Sequence, residues 1–194
     1  MDAKRFDIKV FAQSDGVSFK QHELIPVFHG WIQRGAIADE LLIDVADYSH
    51  VQDGPGVMLI GHEAQYGLDQ SKGRTGLLYS QRRAAVDGGF EQALGYSLRH
   101  ALLACSLLQN EQALGGRLRF AGHELLVRIN DRLRAPNTLE TWNAVQAPAR
   151  KLLSQLFGAE PSIEPAPPSL ELFTLHVRAE KPVDVDTLLA RLPS

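Results

Sequence analysis

Apolar and polar residues alternate at the start of the chain. Phe6, Ile8 and Val10 stand against Asp7 and Lys9, which predicts a strand over residues 6–12. Ser14-Asp15-Gly16 supplies turn chemistry after it. A helical pattern follows over residues 21–34. Pro26 suits the start of its regular part, where a missing N–H costs nothing, and Gly35 sits where a helix-ending glycine belongs. Residues 41–48 alternate again, with Leu41, Ile43 and Val45 on one face and Asp44, Ala46 and Tyr48 on the other. Asp53-Gly54-Pro55-Gly56 turns the chain into a strand predicted over 57–68, and Gly73-Arg74-Thr75-Gly76 into one over 77–82. Connections this short favour an antiparallel meander over parallel crossovers.

The longest periodic stretch, residues 90–109, predicts a helix. Phe90, Leu94, Leu98, Ala101, Leu102, Cys105 and Leu108 share one side, while Tyr96, Leu103 and Leu107 form a second apolar strip. Such a helix is either central to the fold or buried against a second subunit. Residues 118–120 and 125–129 read as a hairpin closed around Ala121-Gly122-His123-Glu124. Asn137-Thr138-Leu139-Glu140 has the form of a capping box, with Asn137 as the cap, and opens a helix towards Phe157 that is expected to break or kink at Pro148 and stop at Gly158. Pro161, Pro165, Pro167 and Pro168 mark a rigid surface connection. A last strand over 172–177 and a short helix over 186–192 complete the chain.

The fold class that emerges is α+β in a single domain over residues 1–194. A mostly antiparallel sheet of about six to seven strands packs with three main helices, one long and central. Gly61-His62-Glu63 recurs as Gly122-His123-Glu124, which raises a duplicated strand–helix–strand–strand unit as an expectation.

Composition narrows the class of protein. The 194 residues are 44% hydrophobic and 22% charged with a net charge of −3, which excludes disorder and collagen-like repeats. The near-neutral balance gives no global reason for a nucleic-acid or acidic-membrane partner, and neither is expected. Cys105 is the sole cysteine, so no intramolecular disulfide forms. The first residues lack the apolar run of a signal peptide, and no stretch has the roughly 18 apolar residues of a membrane span. The expected location is cytoplasmic.

Candidate chemistry concentrates in residues 44–83. Asp44, Tyr48 and His50 fall on one side of their strand, and His62 falls on a mostly apolar face with Met58, Ile60 and Tyr66. Pairing of the two strands would bring His62 near Tyr48 or His50. Together these four form the candidate catalytic set, because a neutral imidazole accepts a proton or ligates a metal while a carboxylate fixes its tautomer. The competing reading is a hydrogen-bonded core histidine. No spacing matches a zinc pattern, no G-x-S-x-G elbow is present, and neither G-x-x-x-x-G-K-[ST] nor G-x-G-x-x-G occurs; no metal and no cofactor are expected. Cys105 lies on the apolar side of the long helix, as a packing cysteine does.

A second concentration is basic. Arg74, Arg82, Arg128, Arg132 and Arg134, with Asn137 at a helix start, form a candidate anion-binding set beside free helix N–H donors. The alternative is a solvated rim with Asp87, Glu91, Glu111 and Asp131 as counter-charges.

The run Asp44-Val45-Ala46-Asp47-Tyr48-Ser49-His50-Val51, then Gly54-Pro55-Gly56-Val57-Met58-Leu59-Ile60-Gly61-His62-Glu63, resembles a family of uncharacterised bacterial proteins. The likeness extends through Gly76-Leu77-Leu78-Tyr79 and Asn130-Asp131-Arg132-Leu133. That resemblance implies a bacterial, stand-alone domain and carries no activity, cofactor or site. The functional expectation is a non-catalytic binding module, homodimeric, for a small anionic ligand or a protein partner. The alternative is a metal- or histidine-dependent hydrolase or isomerase centred on His62.

Overall fold

The computed structural model describes residues 3–13, 20–51, 54–84, 86, 88–167 and 169–193. Ser14-Asp15-Gly16, Asp53, Asp87 and Pro168, which carry turn, counter-charge or connection roles in the sequence reading, lie outside the described residues.

The chain alternates β1 (Phe6–Ala12), α1 (Leu24–Arg34), β2 (Leu42–Asp47), β3 (Val57–Gly61), β4 (Ala64–Asp69), β5 (Gly76–Gln81), α2 (Phe90–Asn110), β6 (Phe120–Ile129), α3 (Leu139–Phe157), β7 (Ser162–Pro165), β8 (Thr174–Arg178) and α4 (Val185–Ala190). The strands form one eight-stranded sheet in the order β2-β3-β4-β5-β1-β6-β8-β7, with every neighbouring pair antiparallel. The α+β class and the antiparallel sheet follow the sequence reading, with eight strands among the described residues in place of six or seven, and with the three main helices and the short last one, α4.

The alternation of β1 fixes the layering. Phe6, Ile8 and Val10 face the core with Leu59, Tyr66, Tyr79 and Val127, all buried. Helices cover that face: α1 lies over β2 and β3, α2 over β1 and β5, and α4 beside β6. α2 is therefore central, packed by the sheet, α3 and α4, with Leu103 and Leu107 half-buried against the same core. The opposite face of β1 carries Asp7, Lys9 and Phe11. They are buried without a helix above them because Lys9 bonds Asp69 and Arg74, and the Arg74 guanidinium lies 3.8 Å from the Phe11 ring centroid.

Five local expectations are corrected. Residues 57–68 form a hairpin, β3 and β4, turning at His62-Glu63. Residues 120–129 form one strand, not a hairpin, in which Gly122 takes φ +45° and opens a register shift against β1. The two Gly-His-Glu runs thus occupy a turn and a strand interior, so they do not mark a duplicated unit. α3 runs uninterrupted through Pro148, because the carbonyl released at Ala144 sits on the exposed side of the helix. Its cap is Thr138, whose Oγ1 accepts from the Thr141 N–H at 3.4 Å. Asn137 instead donates to the Pro167 carbonyl at 2.9 Å and the Ser169 hydroxyl at 3.2 Å, tying α3 to the proline-rich stretch, where β7 adds a strand.

Candidate ligand-binding cleft

The histidine set is not assembled. The His62 N–H donates to the Leu41 carbonyl at one end of the β2–β3 hairpin, while the Tyr48 N–H donates to the Gly56 carbonyl at the other. Leu41 to Tyr48 is seven residues, about 23 Å of strand at roughly 3.3 Å per residue. His62 is also not on an apolar face: it stands exposed on the turn, its Nε2 2.8 Å from an Arg83 guanidinium nitrogen and 3.4 Å from Glu63 Oε1. A guanidinium only donates, so Nε2 is the acceptor there. Asp44 is exposed and accepts from the Val45 N–H at 2.8 Å; His50 is exposed. Among the described residues no group of three or more His, Cys, Asp or Glu side chains is placed to hold a metal ion.

The arginine set is dispersed and largely paired. Arg74 makes a two-pronged pair with Glu124 at 2.7 and 2.8 Å, joined by Arg178 at 3.2 Å. Its guanidinium is the main reason the Glu124 carboxyl is lowered to about 2. Arg128 faces Asp7 at 3.7 Å on the open side of the sheet. Arg134 lies 4.0 Å from Asp131 in the turn ahead of α3, near Arg132, while Arg82 ends β5 with its N–H on the Glu63 carbonyl. The N-terminus of α3 holds Glu140 in its first turn, so its helix dipole already has a carboxylate partner.

What converges instead is a cleft of about 580 Å³ where the β2–β3 and β4–β5 connections meet. Gln21, Tyr48, Ser49, Val51, Gly54, Gly56, Asp69, Gln70, Ser71, Lys72 and Gly73 line it. Its floor is set by Gln21, whose Nε2 donates to the Leu68 carbonyl at 3.0 Å and whose Oε1 accepts from the Val57 N–H at 2.9 Å. Gly56, at φ +70°, has no alternative there: a Cβ would lie 1.4 Å from Gln21 Oε1. Asp69 accepts from Lys9 at 2.5 Å and from the Ser71 hydroxyl at 2.6 Å. Burial pushes the Asp69 carboxyl up, but Lys9 and Ser71 together outweigh it and leave it below its usual range. Lys72 stands out on two counts. It holds φ +57°, the only non-glycine in the left-handed region among the described residues, and none of them pairs with its ammonium.

No family model and no curated protein matches this chain. The functional reading rests on the site itself.

A further polar cluster lies in the core, and nothing in the local sequence marked it. Tyr66 and Tyr79 oppose each other across β4 and β5 with ring centroids 5.4 Å apart. Gln81 Oε1 accepts from the Phe6 N–H at 3.3 Å and the Ser97 hydroxyl at 3.0 Å, and the neighbouring His100 ring is 4.1 Å from Tyr96. Glu40 Oε1 accepts from the Glu63 N–H at 2.8 Å. Among the described residues, four buried atoms, Glu40 Oε2, Tyr66 Oη, Tyr79 Oη and Gln81 Nε2, have no hydrogen-bond partner. Ser97 lies close enough to lower the Tyr79 phenol slightly, but its proton serves Gln81 or Ala93. Burial, aided by the Glu40 charge, raises the Tyr66 and Tyr79 phenols and pushes Tyr96 up to about 12. Burial likewise raises the Glu40 carboxyl and lowers His100. These phenols stay protonated at neutral pH, so none of them serves as a base.

Proposed function

We propose that the protein is a non-catalytic binding module that holds a small hydroxylated anion, a carboxylate or phosphate of polyol type, in the cleft between the β2–β3 and β4–β5 connections. The observation that carries this reading is the Lys72 ammonium, unpaired among the described residues and set on a strained backbone at the wall of a 580 Å³ cleft. Pockets for small molecules fall in the range of roughly 300–1,000 Å³. Left-handed non-glycine residues cost about 1 kcal/mol or more and persist where function holds them. Asp69, the one acid among the described lining residues, is already neutralised by Lys9, which leaves Lys72 as the net charge that these residues present to a ligand. Hydroxyls and amides of Tyr48, Gln70 and Ser71 suit a hydroxylated rather than an apolar body.

The test is a thermal-shift series with 6-phosphogluconate, glycerol 3-phosphate and citrate, with glycerol as the uncharged control. A ligand at a hundred times its Kd adds about 2.7 kcal/mol, well within reach of the measurement. The wild type is expected to be stabilised by at least one of the anions and not by glycerol. Lys72→Gly is expected to abolish that shift while keeping or raising basal stability, since glycine adopts the left-handed backbone freely. Absence of any anion effect, or an undiminished effect in Lys72→Gly, refutes the reading.

A further inference from the structure

Every ion near a cleft contributes to the charge it presents, including ions that never touch a ligand. Lys9 is one such ion. It sits on β1 between Leu78 and Leu126, is 4% exposed, and is not among the described residues that line the cleft. Its stem crosses Gly76, where a Cβ would lie 3.0 Å from Lys9 Cε, 3.1 Å from Lys9 Cγ and 2.6 Å from the Val10 carbonyl oxygen. That glycine leaves the lysine room to reach the end of β4. There the ammonium donates to Asp69 Oδ2 at 2.5 Å and to the Arg74 carbonyl at 2.6 Å, with the Phe11 ring centroid 5.3 Å away.

Stability does not account for this pair. Taking an ammonium and a carboxylate out of water is costly, and apolar residues of similar volume often replace a buried pair without loss. The turn between β4 and β5 also has bonds of its own. Asp69 accepts from the Ser71 N–H at 3.2 Å and the Ser71 hydroxyl at 2.6 Å, and the Arg74 N–H donates to the Ser71 carbonyl at 3.3 Å. What Lys9 adds is charge. Asp69 lines the cleft three residues before Lys72, with 22% of its side chain exposed, and uncompensated it would cancel the Lys72 ammonium. The Arg74 guanidinium is engaged elsewhere, with Glu124 and the Phe11 ring.

We propose that Lys9 sets the sign of the charge in the cleft, and with it the preference for anions, by cancelling Asp69 from behind the turn. The ligand preference rests on the reading of the cleft as an anion site; the charge itself does not. Lys9 touches no ligand and acts through Asp69. A charge role differs from a structural one in sign. Lys9→Met and Asp69→Asn break the same ion pair, so a structural role weakens anion binding in both. A charge role weakens it in Lys9→Met, which leaves a bare carboxylate beside Lys72. It strengthens it in Asp69→Asn, where Lys9 keeps the Arg74 carbonyl and the Phe11 ring and adds an unopposed positive charge.

The experiment has two arms on the full chain at neutral pH. The first titrates 6-phosphogluconate, glycerol 3-phosphate and citrate by thermal shift. Lys9→Met is expected to weaken the best of these anions about tenfold, the effect of one uncompensated charge in the cleft. Asp69→Asn is expected to tighten it, and Lys9→Met/Asp69→Asn to return to within about threefold of the wild type. The second arm needs no ligand. Cys105 is fully buried, so in Lys72→Cys the cleft thiol is the one that reacts with methanethiosulfonates bearing a sulfonate or a trimethylammonium group. The ratio of the two rates reports local charge, because the thiolate fraction is common to both. Adding Lys9→Met is expected to move that ratio about tenfold towards the cationic reagent, and adding Asp69→Asn to move it the other way. An unmoved ratio, or a move in the same direction for both, overturns the proposal whether or not an anion binds. So does anion affinity that Lys9→Met leaves intact, or that Asp69→Asn weakens. Should Lys9→Met not fold, Asp69→Asn decides on the same two readouts. The expected ratios without stabilisation of the wild type by any anion refute the ligand reading and uphold the role of Lys9.

Discussion

Glu40 sets one carboxylate oxygen on the Glu63 N–H and leaves the other buried with no partner among the described residues, close enough to act on the Tyr66, Tyr79 and Tyr96 phenols. A buried unpaired hydroxyl costs about 1–3 kcal/mol. Tyr66→Phe and Tyr79→Phe delete such a hydroxyl at unchanged shape. Each is therefore expected to leave stability unchanged or to raise it by about 1 kcal/mol in urea unfolding; a loss above about 1 kcal/mol in either would show that the hydroxyl is hydrogen-bonded in the folded protein. Glu124 behaves in the opposite way. Its carboxyl lies at about 2 against an ordinary 4.5, chiefly through Arg74, so the stability it contributes is present above 4.5 and fades as pH falls towards 2. The stability difference between wild type and Glu124→Gln is expected to be largest near neutral pH and to shrink below pH 4.5; a difference that does not change with pH would refute the role of the charge. The sequence brought out His62 and Arg74 because their residue types announce chemistry. Glu40 stayed hidden because it acts on a turn 23 residues away, and the sequence shows nothing of the left-handed backbone that sets Lys72 apart from the other basic residues.

At the scale of elements, the periodic segments were legible. β1, α1, α2 and α4 fall within a few residues of their predicted spans, because amphipathic spacing alone positions them. The misses have non-local causes. The β3–β4 turn carries no glycine at His62-Glu63 and is held by the Glu40 carboxylate, so 57–68 read as one strand. Gly122 suggested a hairpin, yet its left-handed φ serves a close approach: a Cβ there would lie 1.7 Å from the Val183 carbonyl oxygen. That contact makes a sharp comparison possible. Gly35, at φ +57° with nothing within 4 Å, is expected to tolerate alanine at a cost of about 1 kcal/mol, the strain of the backbone alone. Gly122→Ala must also displace backbone and is expected to cost more than about 2 kcal/mol. Equal losses in chemical denaturation would place Val183 further away than this geometry has it.

On the scale of the whole molecule, one continuous sheet and one buried cluster join β1 to α4, and α2 is the element that touches most of the rest. None of the described helices is long and apolar enough to cross a membrane. Cys105 sits on α2, fully buried, with its thiol pushed well up by burial, so in the folded state it is neither accessible nor ionised. Reagent reaches it only when α2 parts from the sheet. Because α2 contacts β1, β5, α3 and α4 at once, that parting leaves little of the core intact. Labelling of Cys105 by a thiol-specific disulfide reagent, followed under native conditions at low urea, is therefore expected to report the same free energy as the global urea transition and to show the same urea dependence. A labelling free energy well below the global value would mean that α2 lifts away from a sheet that stays formed. The single core would then act as two cooperative units, with the cleft and the β2 edge in the unit that keeps the sheet.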